Sequence, residues 1–135
     1  MISKNAPLNK DDSQLEGKIT ACFNHLRKKD SLGLMPFLMA GDPDIETTSK
    51  LLLGLQEAGA DIIELGIPYS DPLADGPVIQ EAASRALSNG VKILDIFDLL
   101  EGLKCKLSIP IILFTYSNPL LKFGMEKFCD AASNA

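Results

Sequence analysis

Acidic side chains that could act in proton transfer concentrate in one short part of the sequence. Glu64 interrupts an otherwise apolar run over residues 61–67, near the C-terminal end of that run. A desolvated carboxyl group suits general acid–base catalysis, because burial brings its pKa close to the working pH. Burial of an ionised carboxylate also costs free energy unless a partner compensates for the lost hydration. Two interpretations therefore remain open for Glu64, a catalytic acid–base group and a structural glutamate held in a salt bridge.

Two further carboxylates, Asp71 and Asp75, lie in the Pro-, Gly- and Asp-rich segment 68–76 that follows this run. In α/β proteins, ligands bind beyond the C-terminal ends of the strands. This segment is therefore predicted to lie beside Glu64, over the same edge of the sheet. Asp71 directly precedes a proline, a pair that is common in turns. The spacing favours a turn role for Asp71 and leaves Asp75 open between a turn and a site.

Regularly spaced elements surround these carboxylates. Short apolar runs typical of buried strands cover residues 34–40, 61–67 and 109–114. Helical periodicity covers residues 13–29, 43–58, 77–89 and 93–104, and a last helix is predicted to begin near Met125. Strands that alternate with amphipathic helices predict βαβ units and a parallel sheet. No GxGxxG turn follows the first strand, which disfavours dinucleotide binding.

The repeating βα pattern predicts an α/β protein, either a doubly wound sheet or a (β/α)8 TIM barrel. A complete barrel requires about 250 residues, whereas this chain has 135 and only three βα units. We therefore expect residues 1–135 to be the N-terminal half of a single TIM-barrel domain, truncated inside its last helix. The polar residues 1–12 are expected to be flexible.

Composition excludes several other classes of function. A net charge of −5 argues against nucleic acid as a partner, because phosphate binding requires a surplus of Lys and Arg. No apolar run reaches the length that spans a bilayer, and the N-terminus has no apolar signal core. The three cysteines, Cys22, Cys105 and Cys129, form no metal-binding pattern and are expected to be buried free thiols. A cytoplasmic protein without a metal site is predicted.

Two longer motifs carry a resemblance to a known family. Residues 36–43 (PFLMAGDP) and residues 64–80 (ELGIPYSDPLADGPVIQ) resemble the first- and second-strand motifs of tryptophan synthase alpha subunits, without gaps. The resemblance implies that Glu64 is a catalytic glutamate that moves a proton to and from carbon 3 of an indole ring. It implies that Asp75 is a second catalytic residue, which accepts a hydrogen bond from the indole N–H. Phe37 and Tyr116 match substrate-binding aromatic positions, with core packing and an ordinary loop tyrosine as the respective alternatives.

The same resemblance implies a reaction and its partners. The reaction is a retro-aldol cleavage of indole-3-glycerol phosphate to indole and glyceraldehyde 3-phosphate, in tryptophan biosynthesis. It implies no cofactor in this subunit, and a PLP-dependent beta subunit in an αββα heterotetramer. In the family, phosphate is bound by late glycine-rich segments that these 135 residues do not contain. A non-catalytic half-barrel fragment that only docks on a partner, and a stand-alone indole-3-glycerol phosphate lyase, remain as alternatives.

Overall fold

Three parallel strands form the sheet in a computed structural model, which describes residues 17–135. The strands are β1 (Phe37–Met39), β2 (Ile63–Gly66) and β3 (Ile111–Phe114), in the spatial order β1-β2-β3. Each strand lies inside the apolar run that predicts it, and each is shorter than that run. The parallel βα arrangement confirms the predicted α/β class.

Six helices accompany the strands in the described part of the chain. They are α1 (Lys18–Lys29), α2 (Ile45–Glu57), α3 (Pro77–Ser88), α4 (Ile93–Leu103), α5 (Ser117–Phe123) and α6 (Met125–Asn134). Helix α5 was not predicted, because its Ser-Asn-Pro start has the composition of a turn. The proline is the third residue of α5, where its missing N–H leaves no helical hydrogen bond unmade. Residues 1–12, expected to be flexible, lie outside the described residues.

Local chemistry explains where two of these helices begin. The Asp44 carboxylate caps α2 by accepting a 2.6 Å hydrogen bond from the backbone N–H of Thr47. Pro77 is the first residue of α3, the position that tolerates a missing N–H. Both starts lie directly after a strand and its loop. The helices therefore begin at the C-terminal edge of the sheet.

The main core occupies one face of the sheet. Ile63 and Leu65 of β2 are fully buried there and belong to the same cluster as Leu52 of α2 and Ile96 of α4. Side chains alternate along a strand, so Glu64 and Gly66 point to the opposite face. Pairing in register sets Glu64 between Phe37 of β1 and Ile112 of β3. Strand alternation therefore places Glu64 away from the main core.

Helix α3 covers the C-terminal end of β1. Met39 packs against Ala82 and Ala83 in a second buried cluster. Arg85 adds a bidentate ion pair to Asp42, with nitrogen–oxygen distances of 2.7 and 2.9 Å. These contacts hold α3, and the loop that leads into it, beside the edge at which the candidate carboxylates lie.

The cysteine expectation is wrong for two of the three side chains. Cys105 and Cys129 are exposed, and Cys22 is half-buried, with its thiol 3.5 Å from the Asp61 carbonyl oxygen. Helical periodicity identifies an apolar face, but other elements decide whether that face is covered. His25 is exposed, as its basic surroundings predict. Within residues 17–135 there is no helix whose length and hydrophobicity would let it cross a membrane.

Candidate active site

Glu64 is the second of the four residues of β2, the central strand, and lies two residues before the C-terminal end of that strand at Gly66. Its backbone N–H donates to the Pro36 carbonyl oxygen at 3.0 Å, which fixes the register with β1. Its side chain is half-buried on the face opposite the main core. No side-chain hydrogen bond or ion pair of Glu64 is found among the described residues, and the acid–base interpretation stays a prediction.

A narrow cleft of about 10 Å³, room for about one water molecule, lies at the C-terminal edge of the sheet. It brings together three of the four predicted site residues, Phe37, Asp75 and Tyr116. Glu64 is not among the residues lining this cleft, although it pairs in register with Phe37. Asp75 therefore lies in the cleft, and Glu64 lies outside its lining, beside Phe37 in the sheet. Glu64 comes from the strand and Asp75 from the loop that follows it.

Gly66 makes room for the aromatic wall of the cleft. A methyl group on Gly66 would come within 2.6 Å of the Phe37 ring carbon Cζ. The Phe37 ring is also held at its other side by Phe114, edge to face, with 6.1 Å between ring centroids. Phe37 is consequently part of the cleft wall, and its position depends on the absence of a side chain at the end of β2.

The loop that carries Asp75 is held from two directions. Tyr116 accepts a 2.9 Å hydrogen bond at its hydroxyl oxygen from the backbone N–H of Ala74. On the other side, the Gln80 side-chain amide donates to the Asp75 carbonyl oxygen at 2.7 Å. Both bonds act on the backbone of the loop, so the Asp75 carboxylate itself stays available to a ligand. Gln80 was not predicted as a site residue, although it lies inside the second resembling motif.

Two residues at the C-terminal end of the third strand were also missed. Phe114 and Thr115 line the cleft, and the Thr115 hydroxyl oxygen is buried without a hydrogen-bond partner among the described residues. Buried polar atoms are paired in the great majority of cases. The rule that ligands bind beyond the C-terminal ends of strands would have identified this position. Among the described residues, the Thr115 hydroxyl is thus a buried polar group without a partner beside a mostly apolar cleft.

An ion pair supports the rim of the cleft. The Arg85 guanidinium donates two hydrogen bonds to Asp42, and this bonding lowers the pKa of the Asp42 carboxyl below its ordinary value. Asp42 thus stays ionised at neutral pH, committed to a structural partner. Its role is to link the end of β1 to helix α3.

Residues 23–135 match the family model described as tryptophan synthase alpha chain. The chain belongs to this family. Among the curated relatives, the tryptophan synthase alpha chain of Prochlorococcus marinus subsp. pastoris is 63% identical over 127 residues. The match covers 94% of this chain and 44% of that relative, so the chain spans less than half the length of the curated relative.

Solved structures of tryptophan synthase share the fold. The alpha subunit from Legionella pneumophila superposes with a TM-score of 0.85 at 36% identity, over 88% of this chain and 46% of that one. A chain of the tryptophan synthase complex from Pyrococcus furiosus superposes with a TM-score of 0.71 at 46% identity, over 75% of this chain and 42% of that one. The fold is that of the first three βα units of the TIM barrel of tryptophan synthase alpha subunits. The prediction that residues 1–135 are half of a single domain stays a prediction.

Proposed function

We propose that this chain carries the acid–base pair of the alpha reaction of tryptophan synthase, the cleavage of indole-3-glycerol phosphate. Glu64 is the proposed proton carrier, and Asp75 is the proposed acceptor of the indole N–H. One observation carries the proposal. In a member of the alpha chain family, a half-buried glutamate with no ion-pair partner among residues 17–135 lies on the face of β2 opposite the main core, and the loop directly after β2 brings Asp75 into the nearby cleft.

The proposed reaction is a retro-aldol cleavage in which atoms and electrons balance. The Glu64 carboxyl group gives a proton to carbon 3 of the indole ring, which leaves a positive charge shared with the ring nitrogen. The Asp75 carboxylate stabilises that charge through the N–H group. The bond from carbon 3 to the side chain then breaks, and its electron pair returns to the ring.

The remaining proton also needs an acceptor. The side-chain hydroxyl loses its proton as the aldehyde of glyceraldehyde 3-phosphate forms. The Glu64 carboxylate, having just given up a proton, is the base that can take it. The protonated ring is itself the electron sink, so the proposed chemistry uses neither a metal nor an organic cofactor in this chain. Phe37 is the proposed aromatic contact for the indole ring, and Tyr116 borders the same cleft, which must widen to admit the ring because its volume is only about 10 Å³.

The phosphate group must be bound elsewhere, because no basic residue lines the cleft. An experiment therefore needs both this chain and a complete barrel. We suggest the 135-residue chain and a chimera in which it is followed by the remaining part of the Prochlorococcus marinus relative, the sequence that this chain does not cover. Indole release from indole-3-glycerol phosphate is then measured for both proteins.

Glu64→Gln keeps the size of the side chain and removes its proton. In the chimera we expect this change to lower indole release by about 10²- to 10⁴-fold, the usual contribution of a general acid–base group. Glu101→Gln, an exposed Glu-to-Gln change on α4, is the matched control and should retain activity. Wild-type rates in the Glu64→Gln chimera would remove Glu64 from its proposed role.

A tryptophan synthase beta chain, which uses PLP, is the proposed partner, in an αββα heterotetramer. The support is twofold. One solved relative is described as a tryptophan synthase complex. A mostly apolar groove is formed by the loop after β2, the start of α4 and helix α5, with Leu94 and Phe123 in its lining. Apolar grooves on a surface are typical of docking sites. Leu94→Asp in the chimera should weaken binding to a purified beta chain.

The control for docking lies at the opposite edge of the sheet. Leu32 is 97% exposed and precedes β1, so it lies toward the N-terminal ends of the strands, whereas the groove lies toward their C-terminal ends. Leu32→Asp should therefore leave beta-chain binding unchanged. Equal binding by both variants would place the interface elsewhere. Beta-chain binding without indole release would favour the non-catalytic fragment, and full indole release without a beta chain would favour a stand-alone lyase.

A further inference from the structure

The segment that carries Asp75 has little structure of its own. Between the end of β2 and the start of α3, its internal backbone hydrogen bonds are Leu73 N–H to the Asp71 carbonyl at 3.0 Å and Asp75 N–H to the Pro72 carbonyl at 3.3 Å. Both are local turn contacts within a few residues. They shape the loop but do not fix its position relative to the sheet. Contacts with other elements must therefore decide where the Asp75 carboxylate lies.

Tyr116 provides such a contact. It is two residues beyond the end of β3, and its hydroxyl oxygen accepts the N–H of Ala74, 42 residues away in the sequence. Ala74 is covalently joined to Asp75, and adjacent Cα atoms are 3.8 Å apart. The bond therefore acts on the peptide unit next to the proposed catalytic carboxylate. The opposite side of Asp75 is held by Gln80, the first-turn residue of α3 that donates to the Asp75 carbonyl oxygen.

The Tyr116 ring is itself held in place. It packs against Tyr69 with 5.3 Å between ring centroids, and the Tyr69 hydroxyl oxygen accepts a 3.0 Å bond from the Asn118 side-chain amide. Tyr69 belongs to the loop after β2, whereas Tyr116 and Asn118 belong to the segment after β3. The two tyrosine rings therefore connect the segments that follow β2 and β3, and the Tyr116 hydroxyl reaches the backbone beside Asp75.

We propose that Tyr116 is a positioning residue, whose hydroxyl fixes the Asp75 loop for catalysis, rather than a group whose main role is to bind substrate. The inference rests on the proposed function of Asp75. Catalysis is sensitive to such positioning, because displacement of a catalytic group by about 1 Å can cost about 100-fold in rate. Loss of the hydroxyl leaves the exposed Ala74 N–H to water, so the overall fold is retained while the loop gains freedom.

Tyr116→Phe removes only the hydroxyl group and is the decisive variant. In the active chimera we expect kcat to fall by about 10- to 100-fold with KM within about twofold, because ground-state binding does not use this bond. A direct substrate contact would instead raise KM at nearly constant kcat, and that result would overturn the proposal. Tyr69→Phe removes an identical hydroxyl from the neighbouring ring, and it should lower kcat less because its bond does not reach Ala74.

A second readout is independent of activity. Hydrogen exchange of the Ala74 amide, measured by NMR on the 135-residue chain, should be faster in Tyr116→Phe and unchanged in Tyr69→Phe. Equal exchange in Tyr116→Phe and wild type would overturn the proposed contact. If the wild-type chimera releases no indole, the proposed function fails, and the catalytic part of this inference fails with it. The exchange measurement still decides whether Tyr116 holds the loop.

Discussion

Substitution of Gly66 by alanine tests whether the end of β2 controls the aromatic wall of the cleft. The added methyl carbon would lie 2.6 Å from Cζ and 3.0 Å from Cε2 of Phe37, and 3.3 Å from Cε of Met39. Carbon atoms in contact prefer separations of about 3.5–4.0 Å. The Phe37 ring must therefore retreat by about 1 Å, against its edge-to-face packing on Phe114.

Overpacking of this kind costs about 1–3 kcal/mol in the free energy of unfolding. Urea unfolding of wild type and Gly66→Ala measures the cost through the shift of the midpoint at unchanged slope. Gly54→Ala is the matched control, since Gly54 lies within helix α2 with open space around a built methyl group. This control should gain about 0.5–1 kcal/mol in stability, because alanine suits a helix interior better than glycine.

A second substitution identifies the clashing atoms. Phe37→Leu removes Cζ and the Cε atoms, so the double variant Gly66→Ala/Phe37→Leu should be more stable than the sum of the single changes predicts. We expect a coupling energy of about 1 kcal/mol or more between these contacting positions. Strictly additive effects, or a Gly66→Ala protein as stable as wild type, would refute the steric argument.

Two further predictions concern the end of β1. Thr48 is fully buried, and its hydroxyl oxygen accepts a 2.9 Å hydrogen bond from the Gly41 N–H. Thr48→Val leaves that donor unpaired and should lower the free energy of unfolding in urea by about 1–3 kcal/mol. An unchanged urea midpoint would contradict this. Hydrogen bonds from Arg85 lower the folded-state pKa of Asp42, so the stabilisation they give is complete above the unfolded-state pKa and is lost as pH falls below about 4. Thermal unfolding from pH 7 to pH 3 should therefore show a smaller loss of stability in Asp42→Asn than in wild type. The control Glu46→Gln removes an exposed ion pair and should behave nearly like wild type. Equal pH dependence of Asp42→Asn and wild type would reject the argument.

Local patterns in the sequence determined the elements of this protein. The three apolar runs each contain a strand, because a parallel strand is covered on both faces and needs apolar residues throughout. Asp44 caps a helix and Pro77 begins one, since these preferences depend on a few adjacent backbone groups. The two ungapped motifs identified the family, which the match over residues 23–135 confirms.

Other features depended on contacts between distant parts of the chain. Helix α5 was missed because a Ser-Asn-Pro start is typical of turns as well as helix starts. Cys105 and Cys129 were expected to be buried, but periodicity defines an apolar face without deciding what covers it. In both cases the local sequence permits two outcomes, and the packing of neighbouring elements selects one.

The geometry of the candidate site belongs to this second group. Asp42 meets Arg85 across 43 residues, and Ala74 meets Tyr116 across 42. A sequence pattern reports the preferences of nearby residues, whereas such pairs form only after the parallel sheet has brought its loops to one edge. The family resemblance, together with the residue types at Glu64 and Asp75, led to the predicted chemistry, which stays a prediction. Only the tertiary structure decided that a tyrosine hydroxyl and a glutamine amide hold the loop that carries Asp75, because those contacts exist only once β2, β3 and α3 are packed together.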